Sequence, residues 1–123
     1  MESPSGSRAA AHNRQVGQAG EDLAADWYLE RGYEVVVRNW RCREGELDLI
    51  VRRGRLFVFV EVKSRTSEAF GGPSEAVGRS KQARLRRLAA RWLEHEAPAR
   101  PRAIRFDVVA VLRGDIEVLE GAF

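Results

Sequence analysis

At 123 residues, 44% hydrophobic and 32% charged, the chain has room for one core and the balance of a soluble globular domain. One cysteine, Cys42, excludes an intramolecular disulfide and a thiolate zinc cluster, and His12 and His95 are too few and too far apart in sequence for a zinc site. A net charge of +3 is too small to argue by itself for a nucleic-acid partner, and apolar runs as short as Leu56–Val60 fall far below the roughly 20 residues that span a membrane.

Residues 1–12, rich in Ser, Gly, Pro and Ala, read as a disordered tail without the apolar segment of a secretory signal. Residues 13–123 read as a single domain, and a reducing cytoplasm is the expected compartment. A helix is predicted from Asn13, its N-cap, to about Arg31, because Val16, Gly20, Leu23, Ala24 and Trp27 recur at helical spacing. Gly32 stands where a C-terminal glycine belongs. Gly17 and Gly20 each cost this helix roughly 1 kcal/mol against Ala, and tight packing is the expected reason.

Three strands follow, Glu34–Arg38, Glu46–Arg52 and Arg55–Lys63, the last two joined by a hairpin turn around Gly54. Residues 66–73 form a glycine-rich loop, and Ser74 is the expected N-cap of a second long helix ending near Glu96 ahead of Pro98. Strands Ile104–Leu112 and Ile116–Leu119 close the chain, with a turn at Arg113-Gly114. The order α-β-β-β-α-β-β implies an α/β fold, a mixed sheet flanked by two long helices.

Chemistry concentrates at the ends of two adjoining strands. Asp48 opens Asp48-Leu49-Ile50-Val51, and Glu61-Val62-Lys63 closes the run from Leu56. Charge at the end of a buried strand is costly unless it is paired or metal-bound. Side chains alternate, so Glu61 and Lys63 share a face with Phe59. A turn at Arg53-Gly54 sets residue 48 opposite 59, and a turn at Gly54-Arg55 sets it opposite 61; either register brings Asp48 and Glu61 to one face. Paired carboxylates repel, and Mg²⁺ or Mn²⁺ with oxygen ligands resolves that repulsion. The plainer account is a solvated sheet rim. Of 21 basic residues only Lys63 and Lys81 are lysine, so one of the two occupies the acid-x-Lys slot. An ammonium is a compact charge with a movable pKa, which a guanidinium is not.

The motifs Gly17-x-x-Gly20-Glu21, Gly32-Tyr33, Arg38-Asn39, Gly45-Glu46-x-Asp48-Leu49-Ile50, Glu61-Val62-Lys63-x-Arg65, Phe70-Gly71-x-Pro73 and Lys81 together resemble the YraN-type family over about residues 13–119. That family comprises predicted endonucleases of the PD-(D/E)xK, restriction-endonuclease-like fold, similar to archaeal Holliday junction resolvases. The resemblance implies a metal-dependent endonuclease acting on DNA rather than RNA, branched DNA included. It implies metal binding by Asp48, Glu61 and Glu21, and a catalytic role for Lys63 beside Asp48 and Glu61. An ordinary exposed helix glutamate is the plainer account of Glu21, and Glu46 is a fallback ligand or a neighbour of Arg41 or Arg43.

Residues Ala76–Leu93 include no acid but carry Arg79, Lys81, Arg84, Arg86, Arg87 and Arg91. Lys81 interrupts an otherwise apolar stripe of Val77, Leu85, Leu88 and Trp92. Lys81, Arg65 and Arg84 are the expected phosphate contacts, against a snorkelling stem at Lys81 and, at Arg65, a pair with Glu61. Asp107, inside an apolar strand, is expected to pair with an arginine. A homodimer would suit cleavage of two strands. The rival readings are a nucleic-acid-binding module that does not cut, and a structural protein docking an acidic partner through its basic helix.

Overall fold

A computed structural model of the chain describes residues 7–65 and 77–123, with side chains for 18–64 and 77–123. Helix α1 spans Ser7–Glu30, followed by β1 (Glu34–Cys42), β2 (Gly45–Arg53) and β3 (Leu56–Arg65). Helix α2 (Arg79–His95) precedes β4 (Ala103–Leu112) and β5 (Asp115–Leu119). The sheet order is β1-β2-β3-β4-β5, with β3 and β4 parallel and the other neighbours antiparallel. This mixed α/β arrangement fits a restriction-endonuclease-like fold.

Central strands β2, β3 and β4 are apolar on both faces because a helix covers each face. On one side Leu85, Leu88, Ala89 and Trp92 of α2 pack on Ile50, Phe57, Phe59 and Phe106. On the other, Ala24, Ala25 and Tyr28 of α1 pack on Leu49, Val51, Val58, Val60 and Val109.

Some boundaries differ from the sequence reading. Asn13 is not an N-cap: α1 already begins at Ser7, where Arg8 and three alanines are good helix formers. The expected loop 66–73 and the expected cap Ser74 lie outside the described residues, and α2 begins at Arg79 with Gly78 at its cap. The first strand runs on to Cys42, beyond its expected end at Arg38.

While the surroundings of Gly17 lie outside the described residues, Gly20 bears out the packing expectation. A Cβ built there would stand 2.7 Å from Ser64 Oγ, with Val111 and Val62 next at 3.4 and 3.6 Å. Removing the glycine from a helix gains about 1 kcal/mol, and the crowding opposes that gain. Gly20→Ala is therefore expected to stabilise by about 1 kcal/mol in a Ser64→Ala background and by less, or not at all, in the natural chain. Denaturant midpoints of the four variants measure the coupling.

Asp107 is fully buried and does pair with an arginine, Arg105, through contacts of 2.8 and 2.9 Å. Trp40 packs at the rim of the α2-side core and donates from Nε1 to Glu96 Oε2 at 2.6 Å, fastening β1 to the end of α2.

Candidate functional site

The β2–β3 hairpin decides where the acids meet. Gly54 takes φ +61° at the first central position of the turn, where a two-residue hairpin needs glycine. Arg53 then pairs with Leu56, and the regular ladder runs to Leu49 opposite Val60. One step further Asp48 faces Glu61, the second of the two registers. There Asp48 Oδ2 accepts the Val62 N–H at 2.9 Å, so the side chain takes over from the ladder. β2 starts at Gly45, whose φ of +151° suits glycine alone; a Cβ there would lie 3.3 Å from Leu88 Cδ1, so glycine lets α2 settle against the strand.

An open cleft of about 290 Å³ forms at this end of the sheet, lined by Gly45, Glu46, Asp48, Glu61, Lys81, Arg84 and Leu85. Glu61 is only 8% exposed, yet its carboxylate lies 3.3 Å from Lys81 Nζ. Lys81 points this way because it shares the α2 direction of Leu85 and Leu88. Its place on an apolar stripe is thus explained by an ion pair at the strand end.

The electrostatics follow from burial. Desolvation pushes Asp48 up to about 7, and the hydrogen bond and charge of Glu61 reinforce it; the Val62 N–H and the Lys81 charge work the other way. Lys63 is lowered, first by its hydrogen bond with Lys81, then by burial and the Lys81 charge. Lys81 is raised: burial opposes its charge, but the contacts with Lys63 and Glu61 outweigh it. Glu21 is also raised, chiefly by burial, with Asn39 hydrogen-bonding to it and Asp48 adding repulsion.

Asp48, Glu61 and Lys81 therefore converge on the cleft, while Lys63 lies outside its lining, near enough for these charges to act on it. Arg84 lines the same cleft. Glu21 comes close enough to feel Asp48, but its nearest cation is Arg38 at 4.0 Å. Among the described residues no three acids, histidines or cysteines close into one cluster, so the donor set here is the Asp48–Glu61 pair. Two hard oxygen donors at a solvent-open cleft fit Mg²⁺ or Mn²⁺, which take one or two carboxylates and fill the remaining positions with water and phosphate oxygens. Glu46 lines the cleft and bonds Arg41 at 2.9 Å. The Arg65 side chain lies outside the described residues. Sequence reasoning missed Asn39, whose φ of 54° marks an irregular β1, and Glu44, which meets Arg91 at 3.7 Å. In the sequence Arg38-Asn39 is only a motif, with nothing in it that points to Glu21.

The raised Asp48 pKa has a sign that stability measurements can read. An unfolded Asp titrates near 3.9, so between about pH 4 and 7 the metal-free folded chain holds a proton that the unfolded chain has lost. Its stability is expected to fall as pH rises through that window. Asp48→Asn should flatten this part of the profile and raise stability above pH 7, and added Mg²⁺ should remove most of the fall in the natural chain. Urea midpoints from pH 4 to 9 make the comparison.

A family model described as "Uncharacterised protein family UPF0102" matches residues 20–111, a span containing every residue of the cleft. A UPF0102 protein of Beutenbergia cavernae is 63% identical over 99 residues, covering 80% of this chain and 82% of the relative. One of Rhodococcus jostii is 52% identical over 104 residues, covering 85% and 87%. One of Frankia alni is 50% identical over 113 residues, covering 88% and 93%. None of these names states an activity.

Proposed function

The chain belongs to the UPF0102 (YraN) family, and we propose that it is a divalent-metal-dependent endonuclease that hydrolyses phosphodiester bonds in DNA. The observation that carries the reading is the meeting of Asp48 and Glu61 at one open cleft, with Lys81 against Glu61.

Asp48 and Glu61 would hold the ion. A bound Mg²⁺ or Mn²⁺ supplies acidified water and screens the charge that builds on the phosphorus. Asp48 is fixed for this by the Val62 N–H, which holds its Oδ2. The proton on Asp48 must leave before the carboxylate can bind a metal, so metal affinity should rise as pH passes about 7. Lys63 is the residue to orient the attacking water. Its lowered pKa is the direction that suits an amine meant to accept a proton or bond to water. Lys81 and Arg84 face the same cleft and would grip the non-bridging phosphate oxygens. Glu21, close enough to feel the Asp48 charge but outside the cleft lining, would steady the metal-bound arrangement rather than serve as an equal third ligand.

DNA over RNA, and branched DNA among DNA forms, rest on the YraN-type motifs. The test is incubation with single-stranded, duplex and four-way-junction DNA and with RNA, with and without Mn²⁺. Cutting that needs the ion and is strongest on DNA supports the reading. Tight, salt-sensitive binding without turnover under any divalent ion would mark a non-catalytic binding module of the same fold.

A further inference from the structure

The arginines of α2 do not act as one belt. Arg86 lies over the rings of Phe106 and Phe123, 5.1 and 5.5 Å from their centroids. Arg84, Arg87 and Arg91 recur at helical spacing on the other flank, and with Leu88 and Glu44 they line a groove of about 260 Å³. Arg84 also lines the acidic cleft, so cleft and groove are continuous through one side chain.

Among the described residues Arg84 and Arg87 make no ion pair, and Arg91 meets only Glu44, at 3.7 Å. All three are exposed. Like charges on one helix face repel, and an anionic partner spanning the row removes that cost. The row rises about 10 Å over the seven steps from Arg84 to Arg91, at 1.5 Å each. It is a linear array leading away from the cleft, which matches a polyanion strand better than a single compact anion.

We propose that Arg84, Arg87 and Arg91 form a track that carries the DNA backbone flanking the scissile phosphate, with Glu44 competing for Arg91 when DNA is absent. This rests on the nuclease reading for the scissile end but not for the grip itself. The track contacts phosphates, so it positions the strand without reading bases.

Equilibrium binding to a labelled DNA duplex, in EDTA so that nothing is cut, tests it across a salt series. Arg87→Ala with Arg91→Ala should weaken binding equally on unrelated sequences and lower the salt slope by about 1.8, at roughly 0.9 per lost phosphate contact. Glu44→Gln should tighten binding. Arg86→Ala, checked for folding by circular dichroism, should leave the slope unchanged. An unchanged slope in the double variant overturns the track, as does an equal fall with Arg86→Ala, or polyglutamate competing as well as DNA per charge. Cleavage with Mn²⁺ is scored separately: a lowered slope with no cleavage in any protein retains the track and removes only the nuclease reading.

Discussion

Glu61→Ala is expected to lower metal-dependent cleavage by about 10³-fold or more while leaving DNA binding intact or stronger. The carboxylate stands at the end of a buried strand, 8% exposed, with Lys81 Nζ at 3.3 Å and Asp48 beside it in the cleft. In the proposed reaction it is one of two protein ligands to the ion. Losing it forfeits several kcal/mol of transition-state charge stabilisation, and each 1.36 kcal/mol is a factor of ten. DNA feels the opposite effect, since removing a carboxylate from a cleft that also holds Lys81 and Arg84 makes the cleft more positive. Single-turnover cleavage at saturating Mn²⁺ and equilibrium binding in EDTA separate the two. Equal loss of both would point to misfolding or to a site elsewhere. Unchanged cleavage would remove Glu61 from the chemistry. Glu61→Gln preserves shape and should be nearly as inactive, which tells lost charge from lost packing.

How far the sequence foretold this site depended on the reach of each interaction. The Asp48–Glu61 meeting was legible because both residues belong to one hairpin, whose period-two alternation leaves two acceptable registers. Gly54 at the first central turn position selects the second. Lys81 was legible as an anomaly, a lysine on an apolar stripe. Its partner was not, because the distance from α2 to the end of β3 is set by long-range packing such as Leu88 against Gly45. The Val62 N–H bond to Asp48 and the Asn39 bond to Glu21 depend on strand irregularities that no local pattern encodes. The sorting of the α2 arginines was legible as spacing, but it acquired meaning only when Phe106 and Phe123 claimed Arg86. The start of α1 was read least well, since propensity carries the helix back past the expected cap at Asn13, while both helices end within a residue of the expected positions.

Asp107→Ala is expected to cost stability on a scale that most single changes do not reach. The carboxylate has no exposed surface, and four bonds satisfy it. Arg105 Nε reaches Oδ1 at 2.8 Å and its terminal nitrogen reaches Oδ2 at 2.9 Å, while Tyr28 Oη donates to Oδ2 at 2.6 Å and Gly121 N donates to Oδ1 at 3.0 Å. The cluster joins α1, β4 and the chain's last residues. Burial and the Asp107 charge together hold the Tyr28 hydroxyl well above the usual tyrosine range, so it remains a donor at any ordinary pH. Removing one partner of a buried ion pair costs about 3–5 kcal/mol, because the other charge is left uncompensated. Arg105 is 23% exposed, so water recovers part of its charge, and the lower end of that range applies to Asp107→Ala. Arg105→Met, which strands the carboxylate with no cation, belongs at the upper end. Tyr28→Phe leaves three bonds in place and should cost about 1.5–3 kcal/mol, the scale of a hydrogen bond to a charged group. With a total stability of about 5–15 kcal/mol for a domain of this kind, Arg105→Met should leave it barely folded at 37 °C. Urea midpoints should rank natural chain, Tyr28→Phe, Asp107→Ala and Arg105→Met in falling order. An unfolding free energy for Arg105→Met within 1 kcal/mol of the natural chain would mean that water reaches Asp107 and that the pair does not hold the fold together.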